Sequence, residues 1–330
     1  MGTDASLKRA LVTGSAGFIG SHLLETLVRR GYSVKALVHY NSTGNVANLR
    51  FVSKDVLSDV EVIFGDVRDE YFCEKMTKGI DVIFHLAALI GIPYSYVAPV
   101  SYVHTNVIGT VNLLNACLRN GVAHFLHTST SEVYGTALYT PIDEKHTLQG
   151  QSPYSASKIG ADKLVESYAR SFDLNATTIR PFNTYGPRQS LRAVVPTIVT
   201  QALQSKTIRI GSLHPKRDLT FVTDTANAYL AAAGRSDLRG ETINVGTGTH
   251  YSIKDVIDAV ERIVGTKLSL VEEQERIRPE KSEVVELLCD NTKAKELLSW
   301  APTFDLERGL REVISFFEYN PPGDSTAYHV

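Results

Sequence analysis

Cysteine is scarce. Cys73, Cys117 and Cys289 are the three in 330 residues, odd in number and far apart. They form neither a disulfide framework nor a CxxC metal spacing, so a small stapled fold is excluded and no metal site is proposed. Each reads as a small buried hydrophobe in a protein of the reducing cytoplasm. Net charge is equally scarce: 34 Lys+Arg against 36 Asp+Glu leave −2. A nucleic-acid or anionic-membrane partner needs a basic face, so neither is expected. No stretch approaches the ~18 apolar residues of a membrane span, and no N-terminal signal with an apolar core is present. Met1-Gly2-Thr3-Asp4-Ala5-Ser6 satisfies the loose N-myristoylation pattern, but so short a pattern matches by chance and the segment reads as a tail. Internal repeats and low-complexity tracts are absent too. With 43% hydrophobic and 21% charged residues, the composition is that of a globular chain, which excludes disorder, collagen-like and coiled-coil classes. At roughly 150 residues per domain, the length suits two domains, or one large domain with a smaller companion.

Short apolar runs at 8–13, 33–38, 61–64, 81–86, 123–128 and 176–180 alternate with helical patterns near 18–30, 68–78, 100–119 and 153–172. Parallel strands need crossover connections and helices supply them, so the alternation predicts a doubly wound α/β sheet covered on both faces. After 180 the rhythm loosens. Loop-rich segments near 181–220 and 265–290 are interleaved with helices near 223–234, 252–263, 291–298 and 306–317. The expected division is a cofactor domain over 1–180, to which 221–250 returns, and a smaller α/β substrate region over 181–220 and 251–320. That region would close over the carboxyl edge of the sheet, where open α/β sheets bind ligands.

Residues 13–20 read Thr-Gly-Ser-Ala-Gly-Phe-Ile-Gly, directly after the first strand and opening the first helix. Gly14 permits the tight turn, Gly17 lets backbone approach a pyrophosphate, and Gly20 lets helix pack on strand. With Ala16, Phe18 and Ile19 at the helix N-terminus supplying N–H groups and positive dipole, the segment predicts a dinucleotide on a Rossmann-like fold. The acidic residue expected about 20 positions on, which would hold a ribose 2′-hydroxyl, is missing. His39, Tyr40, Asn41 and Ser42 stand there instead. A carboxylate would repel a 2′-phosphate, so NADP is permitted, with His39 the one potential cation. Asp66, followed by Val67, is placed to accept from adenine.

Tyr154-Ser155-Ala156-Ser157-Lys158 puts a phenol and an ammonium four residues apart on one face of a helix start. A free tyrosine, with a pKa near 10, is protonated at neutral pH. A lysine cation and an oxidised nicotinamide both favour the phenolate, which makes Tyr154 a candidate general base. The fifth strand runs into Thr128-Ser129-Thr130-Ser131-Glu132-Val133-Tyr134-Gly135, placing hydroxyls and a carboxylate at a carboxyl end where substrate belongs. Glu132 is the informative residue, since an enzyme that only transfers hydride needs no carboxylate there.

Together these residues resemble the extended short-chain dehydrogenase/reductases of the sugar-nucleotide epimerase/dehydratase group. The resemblance runs through His85-Leu86-Ala87-Ala88, Tyr154/Lys158, Arg180 to Arg188, Arg217 to Val222 and Arg278 to Glu283. Within the group the chain is most similar to the legionaminic-type 4,6-dehydratases acting on an N-acetylglucosamine nucleotide. The stretches shared with them include Tyr40-Asn41-Ser42, Ala88 to Tyr96, His127 to Gly135 and Pro141 to His146. The resemblance implies Tyr154 as the base at the 4-hydroxyl and Lys158 as its activator and ribose anchor. Thr130 would orient the 4-hydroxyl, and Glu132 would be the base at C5. Leu86, Ala87 and Ala88 would border the cofactor. Ser95 would touch the sugar, Val194 would approach the nucleotide base, and Asn183, Arg188, Arg217 and Arg278 would hold the diphosphate, for which an arginine fork is suited. Ser131 departs from glucose-type dehydratases, which carry an aspartic acid for the leaving hydroxyl; Glu132, once protonated at C5, would deliver that proton instead. The cofactor is expected to be NAD(P), NADP slightly favoured over NAD.

Four rivals remain at this stage: a UDP-glucuronate decarboxylase, a sugar-nucleotide 4-epimerase, a 5,6-dehydratase and a catalytically dead NAD(P)-sensing scaffold. The decarboxylase would need a cation for the sugar carboxylate. The 4-epimerases of the group usually lack a glutamate at the position of Glu132, and dead relatives lose the Tyr/Lys pair. A homodimer is expected from the resemblance, through helices near 100–119 and 153–172. Leu113, Leu114 and Cys117 suit either that interface or the monomer core.

Overall fold

The computed structural model describes residues 9–273, 284 and 286–322. Its centre is a seven-stranded parallel sheet. Six strands come from the first half: β1 (Arg9–Thr13), β2 (Ser33–His39), β3 (Val60–Gly65), β4 (Val82–His85), β5 (His124–Thr128) and β6 (Ala176–Pro181). The seventh is Thr242–Val245, which pairs with β6. In space the order is β3-β2-β1-β4-β5-β6 and then Thr242–Val245. The chain therefore reverses direction across the sheet between β1 and β4, and a crevice opens there at the carboxyl ends. The interior strands are apolar throughout: Ala10, Leu11 and Val12 of β1 and Val82, Ile83 and Phe84 of β4 are wholly buried. Covered on both faces, such strands have no polar side to present.

One face is covered by the first helix, Phe18–Arg29, and by Val222–Ala232; Leu23, Leu24, Leu27 and Tyr229 fill that core. The other face carries Gly109–Asn120 and Pro153–Ser171. There Leu113, Leu114 and Cys117 pack with Phe125 and Val165, so these three belong to the monomer core. All three cysteines are unpaired and buried. Burial pushes the Cys73 thiol up to about 12 and raises Cys117 and Cys289 further, which removes them as nucleophiles.

Two expectations need correction. The pattern near 100–119 is no single α-helix: Pro99–Tyr102 passes through a π-helical turn, Val103–Ile108, before Gly109–Asn120. Segment 181–220 is not mainly loop, because it contains the helix Val194–Gln204. Its run of β-branched residues and Pro196 in the first turn disguised it; the proline costs nothing there, since the first N–H groups have no intrahelical partner. That helix packs with Ile253–Val264 and Leu306–Tyr319 around Tyr185 and Phe221, with Phe221 stacked on Phe304 at 4.2 Å. The short helices Ala47–Phe51 and Ile92–Val97 carry too little periodicity to be read from sequence.

Candidate active site

The glycine loop leaves β1 and turns at Gly14, whose φ of +70° is the left-handed region. A Cβ there would lie 2.8 Å from the Ala87 nitrogen, and one on Gly20 would lie 2.2 Å from the Gly14 carbonyl oxygen. The loop is thus pressed onto the end of β4, which Thr13 secures: its hydroxyl accepts from the N–H groups of Leu86 and Ala87, both at 3.1 Å. The Ser15 hydroxyl donates to Leu37 on β2. Phe18–Arg29 begins at Gly17 with no side-chain cap and no acidic residue in its first turn. Its leading N–H groups, including those of Phe18 and Ile19, therefore suit a phosphate, and this cradle fits a dinucleotide.

At the end of β2 the Asn41 side chain is spent on its own turn, accepting from the Asn45 N–H and donating to the carbonyls of His39 and Asn45. Tyr40 is exposed, and Ser42 continues the same turn. His39 lies 3.4 Å from Asp66. Asp66 is also gripped by Arg68, at 2.5 Å, and that hydrogen bond is the largest influence holding its carboxyl below the usual range. Val67, next to it, is buried.

The helix Pro153–Ser171 is pinned at its start by a capping box in which Ser152 and Ser155 exchange side-chain and backbone hydrogen bonds, with Pro153 at its first position. That cap fixes Tyr154, one residue on, and Lys158 a turn later. Tyr154 is 7% exposed. Burial raises its phenol far above the usual value, the Thr130 hydroxyl opposes this, and the Glu132 carboxylate adds to it. The threonine hydroxyl and the carboxylate thus both act on the phenol, in opposite directions. Glu132 belongs to the turn Ser131–Tyr134, where its N–H donates to Thr130 Oγ1 at 3.2 Å; Ser131 is buried. Lys158 Nζ donates to the Thr128 carbonyl oxygen at 2.6 Å. Burial brings its ammonium down to about 8, with Asp162 opposing.

The other expected residues scatter more. Asn183, just past β6, has a buried side-chain oxygen without a hydrogen-bond partner among the described residues. Arg217 is nearly buried, donating to the Lys216 carbonyl. Val194 opens its helix. Arg278 lies outside the described residues. Two of them are engaged within the protein. Ser95 is wholly buried, its hydroxyl given to the Ile92 carbonyl at 2.6 Å. Arg188 pairs with Glu25 at 2.6 Å and donates to the Phe51 carbonyl, so its guanidinium serves a contact with the first helix.

Sequence reasoning missed several residues at the site. Asn106, on the π-turn, exchanges hydrogen bonds with the backbone of Leu89 and donates to Ser157, tying the loop after β4 to the Tyr154 helix. Tyr102 packs edge-on to Tyr154 at 6.3 Å. Arg192, exposed, approaches the rim at Gly91 and influences Tyr102. Asp162 lies one turn beyond Lys158 and is fully buried with His127, Ser129 and Arg180. The i+4 spacing of Asp162 from Lys158 was the available signal.

Among the described residues no helix is long and apolar enough to cross a membrane. The family model for GDP-mannose 4,6 dehydratase matches residues 11–313. The UDP-glucose 4-epimerase of Mycolicibacterium smegmatis is 35% identical over 315 residues, which cover 94% of this chain and 98% of that one. The UDP-N-acetyl-alpha-D-glucosaminuronate decarboxylase of Bacillus cytotoxicus is 30% identical, with 94% and 98% covered. The dTDP-glucose 4,6-dehydratase of Streptomyces venezuelae, crystallised with NAD bound, superposes with a TM-score of 0.85 at 28% identity, covering 94% of this chain and 97% of that one. The chain belongs to the GDP-mannose 4,6 dehydratase family, within the NAD-dependent sugar-nucleotide dehydratases and epimerases of the short-chain dehydrogenase/reductase type.

Proposed function

We propose that this protein is a 4,6-dehydratase of an NDP-linked N-acetylglucosamine-type sugar, of the legionaminic type, producing the 4-keto-6-deoxy sugar. The observation that carries the reading is Glu132 in the turn that begins at Thr130, its N–H on the Thr130 hydroxyl and its carboxylate near enough to the Tyr154 phenol to raise it. A 4-epimerase has no use for a second base there; a dehydratase must remove the C5 proton. A nicotinamide cofactor held by the Gly14–Gly20 cradle would supply the acceptor for the C4 hydride and the donor of that hydride to C6. Tyr154, as phenolate, takes the 4-hydroxyl proton, with Thr130 orienting that hydroxyl. Lys158 keeps the phenolate favoured and anchors the ribose. Glu132 takes the C5 proton, acidified by the neighbouring ketone, and hands it to the 6-hydroxyl, which departs as water; a solvent proton reaches C5 as C6 takes up the hydride. Ser131, buried and a poor acid, leaves that delivery to Glu132.

For the cofactor we favour NAD over NADP. The missing acid at 39–42 permits NADP, but His39, the one potential cation there, lies 3.4 Å from Asp66, which brings a carboxylate to the end of β2. We assign the cofactor half to 1–180 with 221–250 and the substrate half to 181–220 with 251–320. We assign the protein to the cytoplasm, a reading that three unpaired, buried thiols support. Val100, Val103 and Ile108, apolar and exposed on the stretch leading into Gly109–Asn120, are the surface we assign to a homodimer.

A second reading has one observation behind it. A decarboxylase needs a cation near the sugar C6, and Arg192 approaches the rim at Gly91. Incubation in D2O with UDP-, GDP- and dTDP-linked sugars separates the two. Loss of one water with one deuterium gained and no net cofactor reduction supports 4,6-dehydration. Loss of carbon dioxide from a UDP-linked uronate transfers the case to decarboxylation.

A further inference from the structure

Behind the Tyr154/Lys158 pair lies a buried charge cluster to which the proposed chemistry gives no part. Asp162 Oδ2 accepts from Ser129 Oγ at 2.6 Å and from Arg180 Nε and Nη2 at 3.1 and 2.9 Å. Its Oδ1 takes the Nε2–H of His127 at 3.2 Å. Arg180 also donates to the Tyr134 hydroxyl, which donates in turn to Asn244. Arg180, Asp162 and Lys158 are each no more than 5% exposed. Arg180 is ion-paired to Asp162, and Lys158, one turn earlier on the same helix, has Asp162 as the charge that favours its cationic form.

We propose that Asp162 is a positioning residue: its carboxylate keeps Lys158 cationic and turned to the Thr128 carbonyl, and so sets the pH range over which Tyr154 works as a base. The argument rests on the reading of Tyr154 and Lys158 given above. Lys158 and Asp162 are one helical turn apart on the same face. A buried ammonium without a counter-charge neutralises itself. The other groups around this corner do not supply one. On β4, His85 is held between the hydroxyls of Thr13 and Thr110 and stays neutral. On β5, His127 is pushed down to about 4 by burial, and Lys158 adds to this. On β6, Arg180 is a competing cation. From Val222–Ala232, Tyr229 gives its hydroxyl to Thr128 Oγ1 and is raised by burial. Glu132 bears on the Tyr154 phenol, which its carboxylate raises, and is not among the influences on Lys158. Asp162 itself stays ionised: burial works against it, but the His127 hydrogen bond and the charges of Arg180, His127 and Lys158 bring its carboxyl down to about 2.

The test is the pH profile of Asp162→Asn, measured both as turnover of the sugar nucleotide and as NAD affinity by fluorescence titration. Loss of the anion lets Lys158 deprotonate earlier, so the alkaline limb of kcat moves at least one pH unit to the acid side and the acid limb rises. The pH at which NAD affinity declines moves in the same direction. Asp162→Glu restores both positions even where its absolute rate is lower. Should the single variant fail to fold because Arg180 is left unpaired, the double variant D162N/R180Q removes the pair together and is expected to show the same displaced limb. A uniform drop in rate with both limbs unmoved, in any variant that folds, overturns the proposal. If the wild-type protein turns over no sugar nucleotide, the functional reading fails by itself. The NAD-affinity curve then still decides: coincident curves for wild type and D162N count against Asp162.

Discussion

The ammonium of Lys158 is held 2.6 Å from the carbonyl oxygen of Thr128, the last residue of β5. The contact ties the helix Pro153–Ser171 to the strand end that carries Thr130 and Glu132, so base and activator cannot drift apart. Removing each separates their tasks. Tyr154→Phe is expected to lower kcat by about 10²–10⁴-fold, the range of general acid–base catalysis, while NAD affinity measured by titration is retained. Lys158→Met is expected to lose both. In the wild type, activity is expected to fall above pH about 8, where Lys158 gives up its proton.

Glu132→Gln separates the reading further. The amide keeps the size of the side chain but accepts no proton, so oxidation at C4 proceeds and elimination does not. Reduced cofactor is expected to accumulate in a single turnover. Deuterium uptake at C5 from D2O is expected to fall by about 10²-fold or more. Full turnover by this variant would remove Glu132 from the mechanism and with it the dehydratase assignment.

Much of this was legible because the signals are local. Gly14, Gly17 and Gly20 mark the phosphate turn, since backbone lies within 3.0 Å of where each would carry a Cβ. Tyr154 and Lys158 declare themselves by helical spacing. The strands of the large sheet were legible because burial on both faces makes them continuous apolar runs. What stayed hidden depends on long-range packing. Asn106 reaches Leu89, 17 residues away, and Ser157, 51 residues away. Asp162 finds His127 on β5, Ser129 just past its end and Arg180 on β6. No spacing rule reveals such partners. Val194–Gln204 was missed for another reason: tertiary packing overrode the weak helix preference of its β-branched residues.

His124 carries an acid-sensitivity argument independent of the active site. Its Nδ1 accepts from the Gly234 backbone N–H at 3.1 Å, and a backbone N–H only donates, so the ring must be neutral in the fold. Its Nε2–H is then directed to Thr177 Oγ1, whose own proton goes to the Leu238 carbonyl. Burial brings its pKa down to about 4. The unfolded chain takes that proton near pH 6.5, so between about 6.5 and 4 the unfolded state binds more protons. Stability from this group is complete above about 6.5 and is lost as pH falls towards 4. Urea denaturation is expected to show the wild-type midpoint falling through that window. His124→Asn, less stable at pH 7, is expected to show a shallower fall.

Arg188 has two readings, and its variants decide between them. The resemblance assigns it to the diphosphate; the structure pairs it with Glu25 across the seam between Phe18–Arg29 and the loop after β6. Both side chains are mostly buried, 10% and 17% exposed, so removing one partner strands the other. Breaking such a pair costs about 3 kcal/mol. Arg188→Met and Glu25→Gln are therefore expected to lower the denaturation midpoint by similar amounts and to leave KM for the nucleotide sugar within about twofold. A diphosphate role makes the opposite statement: Arg188→Met would raise KM tenfold or more, and Glu25→Gln, by freeing the guanidinium, would lower it. The two variants move KM in opposite directions under one account and not at all under the other, so steady-state kinetics on the pair distinguishes them without a bound structure.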